Sequence, residues 1–253
     1  MDIYEELLRT KREGKTSALA TIVQCAGSSP QKEGAKMLVK GDGSVIGTLG
    51  GGCVEADVIQ AALAAINDGL PQIIPFQLTE KHGGLVCGGK ILVYIEPVAP
   101  EPHILILGAG HVGKCLSTLA KFAGFRTTVV DDREEHANYG NLPDASDILV
   151  NDFESVFSRV SVDKTTCVVI ATRGHNNDFE ALKGALRTKA GYIGLLGSRR
   201  KRALLFDNLA KVGFSNHDIE RVITPVGLPI GSVGPEEIAI SIMAQIIQFR
   251  RQT

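Results

Sequence analysis

The chain has 253 residues, 44% of them apolar and 22% charged, enough to bury a sizeable core in one large domain or two small ones. Its 27 Lys and Arg nearly cancel 28 Asp and Glu, leaving a net charge of -1. That balance argues against a nucleic-acid partner, which calls for a basic excess, and no apolar run approaches the roughly 18 to 20 residues of a membrane span. Residues 1–8 are acidic and amphipathic, with no stretch resembling a signal peptide. The five cysteines are scattered singly, so neither a disulfide framework nor a Cys-x-x-Cys zinc pair is expected. The expectation is a cytoplasmic protein with reduced thiols, of which Cys25, Cys115 and Cys167 lie in apolar stretches and read as inert.

Asp2 with Glu5 resembles a capping box opening a helix through about Arg12. Ser17 to Cys25 reads as a strand. Met37–Lys40 and Val45–Thr48 flank Gly41-Asp42-Gly43-Ser44 as a hairpin. An Ala-rich helix is expected over Val54–Asn67 and a strand over Ile91–Ile95. These elements make residues 1–97 a small α+β domain. Pro97-Val98-Ala99-Pro100-Glu101-Pro102 reads as a stiff linker, centred on residues 98–102.

From residue 103 to 253 strands and helices alternate. Strands are expected at His103–Leu107, Thr127–Asp131, Asp147–Val150, Cys167–Ala171 and Tyr192–Leu196. Helices are expected at Val112–Ala123, Asp178–Arg187 and Lys201–Val212. This alternation predicts a Rossmann-like, doubly wound parallel sheet, and an α/β fold class for the chain. Pro235, Glu236 and Glu237 open a last helix whose stripe of Ile238, Ile242, Met243, Ile246 and Ile247 packs on the sheet or on a dimer partner.

Three segments carry chemistry. Gly108-Ala109-Gly110-His111-Val112-Gly113 is a G-x-G-x-x-G between a strand and a helix, suited to a pyrophosphate, with Asp131 about twenty residues on to hold a ribose hydroxyl. The alternative is a vestigial site, or one for another phosphorylated ligand. Ser198-Arg199-Arg200-Lys201-Arg202 follows a strand at the expected ligand crevice and could grip an anion, or form a solvated charge run. Arg173-Gly174-His175 should line the same crevice, with His175 as a candidate acid or base. In Gly50-Gly51-Gly52-Cys53-Val54-Glu55 the glycine N–H groups could form an anion nest, with Cys53 at a helix start where the dipole favours thiolate. Cys87 beside Gly88 and Gly89 repeats that theme. Tight turns with inert thiols are the alternative.

These segments resemble the XdhC/CoxI family, the xanthine dehydrogenase accessory factors. The resemblance runs from Ser28-Ser29-Pro30 and Gly34-Ala35-Lys36-Met37 through the glycine and cysteine segments above. It continues through Asp131-Asp132-Arg133 and Tyr192 to Arg199, then to Pro225–Gly231 and Pro235–Ala239. It implies a chaperone that binds the molybdenum cofactor (molybdopterin), protects it while a cysteine desulfurase supplies sulfide, and delivers it to a molybdenum hydroxylase of the xanthine dehydrogenase type. By that resemblance Cys53 contacts the molybdenum or its sulfur. Glycine-rich backbone and the crevice cations hold phosphate and pterin, and the protein is a homodimer. The chain departs from the pattern at Arg173, where histidine is expected, and at Gly234, where threonine often precedes the proline.

A different class of protein is also open: an NAD(P)-dependent oxidoreductase using Gly108, Gly110, Gly113 and Asp131, with His175 as the acid. It leaves the Gly-Gly-Gly-Cys segment unexplained. A third reading makes both halves interaction modules whose glycines are structural.

Overall fold

A computed structural model describes residues 2–77 and 89–252, apart from the side chains of Cys53 and Arg199. The chain divides into two units, Met1–Glu101 and Pro102–Thr253.

The first unit begins with α1 (Ile3–Arg12), capped by Asp2, whose carboxylate accepts from the Tyr4 N–H at 2.8 Å. The bond goes to Tyr4 rather than to Glu5, so the expected box is a simple N-cap. Five strands follow: β1 (Ser17–Ala26), β2 (Lys36–Lys40), β3 (Val45–Gly47), β4 (Gln72–Gln77) and β5 (Lys90–Val98). They form one antiparallel sheet in the order β3-β2-β1-β5-β4. Helix α2 (Cys53–Asp68) lies against β1 and β5. Ala18, Ala20 and Ile22 alternate inward on β1, as do Ile91, Val93 and Ile95 on β5. Val58, Ala62 and Ala65 meet them from one face of α2.

Two prolines shape this sheet. Strand β5 runs on through Pro97 to Val98, where the sequence predicts a linker. Beyond Ile95 it has left β4 behind and pairs with β1 alone, so the N–H that proline lacks is not required by a second neighbour. Strand β4 escapes sequence reading because Pro75 interrupts it, yet as an edge strand it tolerates that residue.

The second unit alternates. Its parallel strands are β6 (His103–Leu107), β7 (Arg126–Asp131), β8 (Asp147–Val150), β9 (Thr166–Ile170), β10 (Tyr192–Leu195) and β11 (Val222–Ile223). They lie in the order β11-β10-β9-β6-β7-β8. In chain order that is 3-2-1-4-5-6, the Rossmann arrangement, with its switch point between β6 and β9. Helices α3 (His111–Phe122), α4 (His175–Leu186), α5 (Arg199–Lys211), α6 (Asn216–Glu220) and α7 (Pro235–Gln252) connect or follow the strands.

Every residue of β6 is buried, as a central strand requires. Leu105 and Leu107 face Leu182 and Leu186 of α4 and Leu205 and Leu209 of α5. Ile104 and Ile106 face Leu116 and Ala120 of α3 and Ile242, Met243 and Ile246 of α7. Helix α7 therefore packs on the sheet beside α3, while Ile247, placed on its stripe by periodicity, is 42% exposed. Among the described residues no helix is long and apolar enough to cross a membrane.

Candidate functional site

The triple-glycine loop joins β3 to α2. Gly50, Gly51 and Gly52 take φ values of 131°, 78° and 70°, a backbone that side-chain-bearing residues rarely adopt. The loop is thereby turned so that Cys53 becomes the first residue of α2. The loop N–H groups that could form an anion nest are partly taken up by a carboxylate of the chain itself. Glu55 Oε1 accepts from Leu49 N and Gly51 N, each at 3.0 Å, and from the Thr48 hydroxyl. Gly50 N donates to Thr48 Oγ1 at 3.1 Å. Burial pushes the Glu55 carboxyl up, but the Thr48 hydroxyl and the loop N–H groups outweigh it and hold the group below its ordinary range. Sequence reasoning assigns Glu55 no role. Its available signal is position: Glu55 stands at N3 behind the N-cap Gly52, where a glutamate reaches back to free N–H groups. Cys87 lies outside the described residues, and Gly89 precedes β5.

The second glycine loop leaves β6 and enters α3. A Cβ on Gly113 would fall far inside contact distance of the Gly108 carbonyl, and one on Gly108 would collide with the Ala171 carbonyl at the end of β9. Those two glycines let α3 and β9 close on the loop. Gly110, the N-cap of α3, would meet nothing within 4 Å, so its backbone is open to an approaching group. Half-buried Gly110 and exposed His111 thus form the helix start above the switch point. A cavity of about 460 Å³ lies beside it, lined by His111, Lys114 and Cys115 of α3 with Pro235 and Glu236 of α7. Burial and the nearby Glu236 carboxylate raise the Cys115 thiol, which keeps it protonated.

Asp131 stands at the end of β7, as the fingerprint requires, but its carboxylate is not free for a ribose. Oδ2 accepts from Ala109 N at 2.8 Å and Arg133 Nη2 at 3.2 Å. Oδ1 accepts from Arg133 N at 3.2 Å and Nε at 2.8 Å. Burial acts to raise its pKa, yet the Arg133 fork and the Ala109 N–H win and keep it ionised. Arg133 belongs to the Asp-Asp-Arg motif, but sequence reasoning gives it no part; a cation two residues after the acid is the available signal. Arg173 meets Asp132 rather than a free crevice, with Nη2 to Oδ2 at 3.0 Å.

The basic run is also partly spent inside the fold. Ser198 caps α5, accepting from Lys201 N at 3.3 Å, so its hydroxyl has a structural partner. Lys201 turns inward to the fully buried Asp178, which also accepts from Thr172 Oγ1 at 2.7 Å. Burial raises the Asp178 carboxyl against the pull of Lys201 and Thr172. Arg202 stacks on Phe206 at 5.0 Å, while Arg200 is exposed at the helix start. His175 is exposed as the first residue of α4. Segments after β6, β9 and β10 therefore bring Gly110, His111, Arg173, His175 and Ser198 to one end of the parallel sheet. Among the described residues no three His, Cys, Asp or Glu side chains cluster to hold a metal.

Comparisons with known proteins match both units. The XdhC and CoxI family matches residues 10–77, and the XdhC Rossmann domain matches residues 104–246. The chain is 34% identical to uncharacterized protein YqeB of Escherichia coli K12 over 99% of its own length, but spans only 46% of that protein. It is 27% identical to a probable xanthine dehydrogenase component of Bacillus subtilis, covering 99% of this chain and 97% of the relative. It is 25% identical to the molybdenum cofactor insertion chaperone PaoD of Escherichia coli K12, covering 94% and 84%. The crystal structure of a xanthine dehydrogenase from Bacillus halodurans aligns over 98% of this chain and 94% of its own, at 28% identity and a TM-score of 0.55. With a Rossmann-domain match alone covering more than half of its residues, the chain belongs to the XdhC and CoxI family.

Proposed function

We propose that this chain is an accessory protein that binds the molybdenum cofactor and hands it to a molybdenum hydroxylase of the xanthine dehydrogenase type. The observation that carries this reading is the β3–α2 loop. Three consecutive left-handed glycines are costly to order. Here they deliver one soft ligand, Cys53, to the first position of a helix. Family membership and the name of the PaoD relative support the same cargo.

In this reading Cys53 approaches the molybdenum end of the cargo, with Cys87 as a second candidate. Taken by itself, the Rossmann unit has its own candidate place for a phosphorylated group at the helix start of Gly110 and His111, with Arg173, His175, Ser198 and Arg199 around the same sheet end. Sulfuration by a cysteine desulfurase, a homodimeric assembly and a cytoplasmic location belong to the proposal. No turnover by the chain itself is required, since a carrier needs affinity and release. The oxidoreductase reading loses its main support at Asp131, whose acceptors are already in use.

The test is anaerobic. Purified wild type and Cys53→Ala are incubated with released molybdenum cofactor and separated by gel filtration, and co-eluting pterin is assayed. Wild type should retain pterin, and Cys53→Ala should lose most of it while keeping the wild-type circular dichroism. No pterin on either protein would sink cofactor carriage; equal pterin on both would remove Cys53 from the site.

A further inference from the structure

Asp131 has no acceptor left to offer. A carboxylate presents about four lone-pair positions, and four N–H groups fill them: Ala109 N and Arg133 Nη2 on Oδ2, Arg133 N and Nε on Oδ1. In a sheet of this strand order, the acid after the second strand is the group that takes the ribose hydroxyls of a dinucleotide lying on the glycine loop. Here a ribose would have to displace a charge-assisted fork from a carboxylate that is 2% exposed. From this geometry we infer that Arg133 is a specificity-determining residue, occupying the acceptors that a ribose diol needs so that the second unit rejects NAD-type dinucleotides. The inference goes beyond cofactor carriage and does not rest on it.

The lock is a side chain on an otherwise competent loop. Two of the four donors, Ala109 N and Arg133 N, belong to the main chain and remain whatever residue stands at 133. Truncating Arg133 removes only Nε and Nη2, one donor from each carboxylate oxygen. The positions so released, one on each oxygen, equal in number the two hydroxyls of a cis diol. The phosphate end needs no change, because Gly110 is open and α3 starts directly behind it. Asp132, which touches Arg133 Nε at 3.7 Å, keeps its closer bond to Arg173 when Arg133 is gone.

The experiment titrates the 253-residue wild type, Arg133→Ala and the double variant Asp131→Asn/Arg133→Ala with NADH, read by its fluorescence, and with NAD+ by calorimetry. Arg133→Ala should bind at least about tenfold more tightly than wild type, the size expected when one or two hydroxyls gain a charged acceptor. The double variant should lose that gain. A wild type that binds NAD+ as tightly as Arg133→Ala overturns the inference, as does a folded Arg133→Ala with no gain. If Arg133→Ala fails to fold by circular dichroism, Arg133→Lys keeps a cation without the fork and must itself show a gain of several-fold; none overturns the inference. Pterin retention is measured separately, so failure here and failure of cofactor carriage are told apart.

Discussion

The two glycine loops of this chain meet one requirement in opposite ways. Both turn a strand into a helix, and in both a carboxylate of the chain accepts from loop N–H: Glu55 from Leu49 and Gly51, Asp131 from Ala109 alone. In the first loop Glu55 sits in the first turn of α2, four residues beyond the Gly51 N–H it accepts from. In the second, Asp131 reaches Ala109 N across 22 residues, from the end of a neighbouring strand. The first loop is a local device built on backbone freedom, since all three glycines have positive φ. The second relies on close approach as well, since Gly108, itself at a φ of 115°, is crowded by the Ala171 carbonyl just past β9 and Gly113 by the Gly108 carbonyl within the same motif. It follows that the second loop should tolerate added atoms less well at its crowded glycines, and the first should depend more on its single carboxylate.

The largest effect is expected at Gly113. A methyl there would overlap the Gly108 carbonyl, which is backbone and cannot swing aside, so α3 would have to leave β6. Gly113→Ala should cost about 3 kcal/mol or more, above the usual range for overpacking because the obstacle is main chain. Urea unfolding followed by circular dichroism checks it. A loss under about 1 kcal/mol would mean that the helix and strand are not in close contact there, and the contrast between the loops would fail.

Next in size is Glu55→Ala. It leaves the Leu49 and Gly51 N–H groups and the Thr48 hydroxyl without their shared acceptor. Thr48 and Gly51 are exposed, so water can take over part of the role, and a loss of about 1 to 2 kcal/mol is expected. Glu55→Gln keeps an acceptor oxygen and should recover much of it. Hydrogen exchange at Gly51 is the sharper readout: protection should fall in Glu55→Ala and return in Glu55→Gln. Unchanged exchange in Glu55→Ala would show that the loop holds its shape by glycine conformation alone.

The contrast also explains what the sequence reveals. The alternation of apolar strands with amphipathic helices after residue 103 is periodic, and periodicity is readable without tertiary knowledge; β6, α3 and β9 lie within a residue or two of expectation. Strand β4 is missed because edge placement, which excuses Pro75, is a property of the assembled sheet. The glycine motifs show where a ligand loop belongs, but not whether its polar groups are free. That Lys201 folds inward to Asp178, that Arg133 closes on Asp131 and that Ser198 serves as a cap are all pairings of side chains chosen by the fold. A run of cations written as Arg-Arg-Lys-Arg therefore looks like one anion site in sequence. In the structure Lys201 is tied to a buried aspartate and Arg202 lies on an aromatic ring.

The smallest effect is expected at Gly110, and its smallness is informative. Gly110 has a φ of -73°, open to any residue, and a methyl there would meet nothing within 4 Å. Gly110→Ala should therefore cost no more than about 0.5 kcal/mol, most of it from replacing a tolerated N-cap with a poor one. Set beside Gly113→Ala, three residues away in the same motif, it separates glycine kept for packing from glycine kept for access. If Gly110→Ala leaves unfolding almost untouched yet weakens pterin retention, the open backbone is a contact surface for phosphate. If it destabilises as much as Gly113→Ala, Gly110 is packed rather than open, and the second loop is crowded along its whole length.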